Sequence, residues 1–130
     1  MTLDAIGIAG SGLTLHRKWL DAVADNIANA NTVTATDGDA FQARYIVAQA
    51  GQGTTGAYAA GTALGDAEGI LTFDPSNPLA DEAGYVRRPD VDMAEQMGAL
   101  IMAQRGYQAN AAVVDRAKTT YEAALQIGRS

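Results

Sequence analysis

Large side chains recur every seven residues along the last third of the chain. Met93, Leu100, Tyr107, Val114 and Tyr121 form one series, and Met97, Gln104, Ala111, Lys118 and Leu125 follow each member by four. An a/d repeat held over this many heptads keeps one seam of a helix facing a partner helix. Gln104 and Lys118 interrupt the second series. Pro89 stops the helix from reaching back through residue 88, Asp90 or Asp92 caps its start, and Glu95 in the first turn suits the helix dipole. From Val91 to Ile127 such a helix runs roughly 55 Å at 1.5 Å per residue. A chain of 130 residues packed as a globule is only about 30 Å across. The helix is therefore expected to project, and a projecting apolar seam needs a partner.

The beginning of the chain repeats the pattern. Ile6, Leu13, Leu20 and Ile27 are also seven apart, with Val23 and Ala24 beside them. Gly7, Gly10 and Gly12 weaken residues 3–13 as an isolated helix, each by about 1 kcal/mol relative to Ala, and they let a neighbouring backbone come close. The run Asp25-Asn26-Ile27-Ala28-Asn29-Ala30-Asn31-Thr32 predicts the helix end and a turn, because Asn tolerates the left-handed conformation and its amide bonds nearby backbone.

Residues 33–89 hold all three prolines and most of the glycines. Phe41–Val47 and Glu68–Asp74 have strand character, and Gly84-Tyr85-Val86 suits a short extended piece. Residues 51–66, rich in Gly, Thr and Ala, predict a long mobile loop or an irregular hairpin. Asp74-Pro75-Ser76-Asn77-Pro78 is a turn cluster. The expected organisation is thus 1–32, an N-terminal helix; 33–89, a small β-containing, Gly-rich insert; and 90–130, a C-terminal helix. The fold class is mainly α, with the two long terminal helices pairing as a coiled coil.

The core is thin. Of the 48% hydrophobic residues, 27 are Ala, and Leu, Ile, Val and Phe together make only 25 of 130. Helices of this composition bury little per residue and gain burial from neighbours. The net charge of −6 argues against a nucleic-acid surface and against a polybasic membrane anchor. The charge is spread as −1 over 1–32, −4 over 33–89 and −1 over 90–130. No stretch approaches the length needed to span a membrane. The N-terminus carries Asp4 and no basic region, so it does not read as a cleaved secretory signal.

Site chemistry finds little support. There is no cysteine, and His16 is the one histidine, which removes thiolate and the usual zinc sets. On a helix Ser11, His16 and Asp21 do not share a face, so no local triad forms, and His16 reads as solvated or interfacial. Gly51-x-Gly53-x-x-Gly56 matches a dinucleotide fingerprint but is followed by Gly61 and Gly65 rather than an opening helix. Asp37-Gly38-Asp39 resembles part of a calcium loop whose twelfth position is Ala48. Asp81 and Glu82 read as a solvated loop, and Arg87-Arg88 as either an ion pair with a neighbouring subunit or a solvated spot. No catalytic residue, cofactor or metal is expected.

Three segments carry a resemblance. Asp25–Thr32 is similar to the Asn-rich motif near the N-terminus of the flagellar axial proteins of rod, hook and hook-associated type. Gly84-Tyr85-Val86 with Pro89-Asp90-Val91-Asp92 resembles the signature that precedes the C-terminal helix in the proximal-rod branch, and Arg105-Gly106-Tyr107-Gln108-Ala109-Asn110 resembles the Arg-x-Tyr-x-x-Asn helix motif. Arg87 and Arg88 stand where that branch often has aromatic residues, and Asp90 where it often has Asn.

The resemblance implies a structural subunit of the basal-body proximal rod, a hollow torque-transmitting shaft in the periplasm. It implies export by the flagellar type III apparatus without a cleaved signal, and helical stacking on further copies and on other rod proteins. The rival expectation is an independent helical-hairpin binding module. The assembly interface is expected at Leu13, Leu20, Ile27, Leu100, Tyr107, Val114, Tyr121 and Leu125. Asn26, Asn29, Asn31, Tyr107 and Asn110 are expected to fix the helix ends.

Overall fold

The computed structural model describes residues 2–129, the side chain of Thr2 excepted. Helix α1 covers Thr2–Asn29 and helix α2 covers Met93–Arg129. Between them lie strands β1 (Arg44–Ala50), β2 (Ala57–Leu64), β3 (Ile70–Phe73) and β4 (Tyr85–Arg88). β1 pairs with β2 and β3 with β4, giving two separate two-stranded sheets. The fold is mainly α with a small β insert.

Asp92 sets the start of α2. Its Oδ1 accepts from Ala94 N at 2.9 Å and Glu95 N at 3.3 Å, which satisfies donors the first turn leaves open. α1 ends without a left-handed asparagine, since no described residue other than glycine has positive φ. The chain instead turns through short backbone bonds, Ala30 N to Ile27 O at 3.3 Å and Thr32 N to Asn29 O at 3.0 Å. The asparagines beside that turn are used for side-chain contacts.

The chain divides into two compact units. The first comprises Met1–Leu20, Ile46–Gly61 and Ile101–Ser130; the second comprises Asp21–Tyr45 and Thr62–Leu100. In the first unit, 51–56 is a tight connection between β1 and β2. Gly51 N donates to Gly56 O at 2.7 Å, and Gly53 and Gly56 have φ of 61° and 81°. The connection rests on α1: Ala57 N donates to Ser11 Oγ at 3.1 Å, and Ser11 Oγ donates to Ile8 O at 2.6 Å. A side chain on Gly56 would strike Ser11. Of the mobile loop or irregular hairpin expected from 51–66, the structure has a hairpin, with β2 occupying Ala57–Leu64. The strand Ala57–Leu64 has weak intrinsic preference, so pairing and the Ser11 contact supply what composition does not.

In the second unit, β3 and β4 are antiparallel with Ile70 opposite Arg88, Thr72 opposite Val86 and Phe73 opposite Tyr85. Phe73 and Tyr85 meet edge to face at 5.4 Å, a favoured aromatic arrangement. Val86 is 1% exposed. Ala22, Val23, Ala30, Ala40 and Ala43 are also buried in this unit. Thr34 exchanges two backbone bonds of 2.9 Å with Arg87 on the free edge of β4. Asp81 organises the β3–β4 connection: its carboxylate accepts from Tyr85 N, Ala83 N and Thr36 Oγ1. The Tyr85 amide foremost, with the Thr36 hydroxyl, holds that carboxyl below its usual range. Asp81 is therefore a turn former rather than a merely solvated acid.

Candidate assembly interface

Asn26 is completely buried and joins three segments of the second unit. Its Oδ1 accepts from Arg44 N at 2.7 Å, and its Nδ2 donates to Arg44 O at 2.9 Å and to Gln96 Oε1 at 3.0 Å. The amide thus pairs with both backbone groups of Arg44 as a neighbouring strand would, and ties the start of β1 to α1 and α2. Only a side chain with a donor and an acceptor in one plane does both. Gln96 is itself only 2% exposed, so its oxygen depends on this bond. Asp25 adds an ion pair to Arg44 at 3.1 Å, too exposed to contribute much.

The other expected asparagines lie nearby or on the facing helix. Asn29 is half-buried; its Nδ2 donates to Asp25 O at 2.9 Å, and its Oδ1 accepts from Thr32 Oγ1 at 3.2 Å. Asn31 is exposed, and its Oδ1 accepts from Arg88 Nη2 at 2.6 Å. Arg87 Nη1 donates to Glu68 O, and Nη2 donates to Thr36 O at 2.7 Å. Both arginines are thus engaged within the chain, where either an ion pair to a neighbour or free solvation was the expectation. Their partners are carbonyl and amide oxygens, which charge patterns in sequence do not mark. Tyr45, also in this unit, has its phenol pKa raised by burial and by the nearby charges of Glu95 and Asp90.

In the first unit the two helices meet through reciprocal glycines. A side chain on Gly12 would strike the Asn110 amide, and one on Gly106 would strike the His16 ring. Four residues forward on α1 correspond to four residues back on α2, so the contact is antiparallel. Asn110 Nδ2 donates to Gly106 O at 2.8 Å. His16 Nδ1 donates to Gly12 O at 2.7 Å, which fixes the tautomer because a carbonyl only accepts. Each helix therefore supplies a gap for the other's polar side chain. His16 is half-buried in this contact.

The apolar residues of the expected interface divide. Leu13, Leu20, Ile27, Leu100 and Val114 are half-buried. Tyr107, Tyr121 and Leu125 are exposed. The inward stripe of α2 is built mostly from smaller or polar residues: Gln96, Ala99, Ala103, Gly106, Asn110 and Ala117. Met93, Met97, Gln104 and Lys118, which share the expected heptad, are exposed. Both stripes have heptad spacing, and the smaller one permits close approach. Gln96 and Ala103 are the residues that spacing of large side chains misses. Ala103 stands seven residues after Gln96 and seven before Asn110, so the heptad spacing of the small and polar residues is the signal that finds it.

A groove of about 300 Å³ in the first unit is lined by Leu15, His16, Trp19, Ile46 and Ala48, with the imidazole already committed to Gly12 O. Among the described residues, no three His, Asp or Glu side chains are grouped to hold a metal, and no helix is long and apolar enough to cross a membrane.

Comparison with known proteins gives this helix-joining arrangement its class. Residues 6–36 match the model of the flagella basal body rod protein family, and residues 82–127 match that of the flagellar basal body rod FlgEFG protein C-terminal region. The first segment contains Asn26 and the second Gln96 and Asn110, so both sides of the interface lie in flagellar rod-protein sequence. The flagellar basal-body rod protein FlgC of Yersinia enterocolitica is 40% identical over 131 residues, covering 98% of either chain. That of Salmonella typhimurium is 38% identical over the same span, and that of Bacillus subtilis 27% identical over 145 residues. The chain belongs to the flagellar basal-body rod protein FlgC family. Members are structural rod proteins, not enzymes.

Proposed function

We propose that the chain stacks helically in the proximal rod and that its terminal helices, as a coiled coil, line a hollow shaft that transmits torque. Residues 1–32 and 90–130 supply the assembling helices and 33–89 the insert. Its partners are further copies, other rod proteins and the flagellar type III export apparatus, which delivers it to the periplasmic rod without a cleaved signal. The assembling surface comprises Leu13, Leu20, Ile27, Asn29, Asn31, Leu100, Tyr107, Asn110, Val114, Tyr121 and Leu125, and the buried Asn26 serves it from within each chain by joining α1, β1 and α2.

One observation carries the reading: the large apolar residues that a single chain leaves uncovered. Met102, Tyr121 and Leu125 on α2 are 64%, 42% and 51% exposed, and Leu3 on α1 is 67% exposed. Surfaces of this kind mark contacts to other molecules. A contact between unlike surfaces repeats into a filament rather than closing as a dimer.

The test is to purify basal bodies from the bacterium that carries the gene, with an epitope tag in the exposed 51–56 connection. The chain is expected in the rod fraction, and deletion is expected to stop assembly before the hook. A chain that stays entirely outside basal bodies, with flagella assembled in its absence, would refute the proposal.

A further inference from the structure

The β3–β4 sheet of the second unit has two edges, and one of them is bare. On the β4 side, Thr34 N donates to Arg87 O and Arg87 N donates to Thr34 O, both at 2.9 Å. In an antiparallel strand the N–H and C=O of one residue point to the same side, and successive residues alternate. The groups of Arg87 point away from β3, so those of Val86 and Arg88 point toward it and meet Thr72 and Ile70. On β3 the groups that point away from the sheet therefore belong to Leu71 and Phe73. No third strand joins this sheet, and among the described residues no other group bonds to these two N–H and two C=O groups.

Nothing within β3 blunts this edge. Exposed edges are usually blunted by lysine, proline or a bulge, because a row of free backbone groups templates pairing with another chain. β3 reads Ile-Leu-Thr-Phe and pairs with β4 residue for residue. Leu71 and Phe73 are 54% and 63% exposed. They lie two apart and so share one face, where Phe73 is steadied by the Tyr85 ring. The free backbone groups thus come with apolar side chains that a neighbouring strand would cover.

Charge selects among occupants. The second unit holds twelve acids and three bases, a net −9. All three bases are engaged: Arg44 with Asp25, Arg87 with the carbonyls of Glu68 and Thr36, and Arg88 with Asn31 Oδ1. An acid stands at either end of β3, Glu68 two residues before Ile70 and Asp74 directly after Phe73. The Asp74 carboxylate accepts from the neutral Ser76 Oγ and Asn77 Nδ2, and Glu68 is exposed. Among the described residues neither carboxylate is in an ion pair. A second copy offering its own β3 would bring another unit of net −9 against this one, which like-charge repulsion opposes. A strand with Lys or Arg at its ends would instead meet a carboxylate at each end.

We infer that the free edge of β3 takes up an extended segment of a different protein, one with alternating apolar residues flanked by Lys or Arg. Its backbone pairs with Leu71 and Phe73, and its apolar side chains cover theirs. In strand addition the main-chain bonds supply affinity and the alternate side chains supply specificity. The edge is open in the chain itself, so the inference goes beyond the rod reading and does not rest on it.

Cross-linking and amide exchange on the full chain test it. A photo-reactive residue at position 71, in the bacterium that carries the gene, should cross-link to another protein at a segment with Lys or Arg beside the linked site. In the purified chain, a synthetic peptide of alternating Val and Thr with Lys at both ends should slow exchange of the Leu71 and Phe73 amides at least about tenfold more than that of Ile70 and Thr72, which are already bonded to β4. The same peptide with Glu at both ends should bind at least about tenfold more weakly. Leu71→Pro removes an outward N–H and no bond to β4, and should abolish the effect at Phe73. The two peptide arms use the unaltered chain, so they hold even if that variant folds poorly. Cross-links to a second copy, no cross-link from position 71, equal protection of all four amides, or equal binding of the two peptides would overturn the inference.

Discussion

Replacing Asn26 by Ala removes three hydrogen bonds from one buried point. Gln96 Oε1 loses its partner at a residue 2% exposed, a loss of about 1–3 kcal/mol for a stranded buried acceptor. The two bonds to Arg44 are only part-buried, so water takes over some of their role and each contributes about 0.5–1.5 kcal/mol. Together these give a loss of about 2–6 kcal/mol, large beside the about 5–15 kcal/mol that holds a typical domain folded. Asn31→Ala is the control: Asn31 is exposed and makes one bond to Arg88, so its loss should stay below about 1 kcal/mol. Asn26→Asp keeps the volume and the acceptor for Arg44 N but aims a carboxylate at two oxygens, and should be at least as damaging at neutral pH. The assay is urea unfolding followed by circular dichroism, at dilution where the chain is monomeric. A loss below about 1 kcal/mol for Asn26→Ala, or equal losses for Asn26 and Asn31, would refute the claim that one buried amide joins α1, β1 and α2.

Other perturbations separate close contact from open space. Gly106→Ala should destabilise by about 1–3 kcal/mol because the new methyl meets His16. Gly98→Ala, with no neighbour within 4 Å, should stabilise by about 0.5–1 kcal/mol; thermal melts compare the two, and equal effects would contradict the reciprocal-glycine contact. Leu100→Ala removes a half-buried side chain and should cost the isolated chain more than about 1 kcal/mol, whereas Leu125→Ala should change it by less than about 0.5 kcal/mol yet weaken assembly. Asp81 has its pKa lowered in the folded chain, so its contribution is present above the usual value of 3.8 and is lost as pH falls through the folded value. Asp81→Asn should therefore flatten the acid side of a stability profile below about pH 4, and an unchanged profile would remove Asp81 from that role. Tyr45 works in the opposite sense: its raised pKa adds stability below the usual 10.0 that is lost as pH rises through the folded value.

The two helices are legible in the sequence because heptad spacing and the Asp92–Glu95 start are local signals. The inward stripe of α2 is less legible. Spacing selects Met93, Met97 and Tyr107, which are exposed, together with the half-buried Leu100, while the structure buries Gln96 and Ala103 and half-buries Gly106 and Asn110. Periodicity alone does not choose between adjacent stripes; the reciprocal glycines opposite Asn110 and His16 do. The asparagine cluster marks the end of α1, but its use is non-local, since Asn26 bonds residues 18 and 70 positions away. Arg87 is similarly opaque: its partners are carbonyls 19 and 51 residues distant. β2 has almost no strand signal of its own, and its order comes from β1 and from Ser11.

Amide hydrogen exchange across residues 118–129 bears most directly on whether neighbours complete this chain. In the dilute free protein these amides should exchange quickly, because every residue from 118 to 129 is exposed. In isolated basal bodies the same amides should be strongly protected. Equal protection in the two states would mean that the exposed end of α2 is never covered, and would contradict assembly as the source of the missing burial.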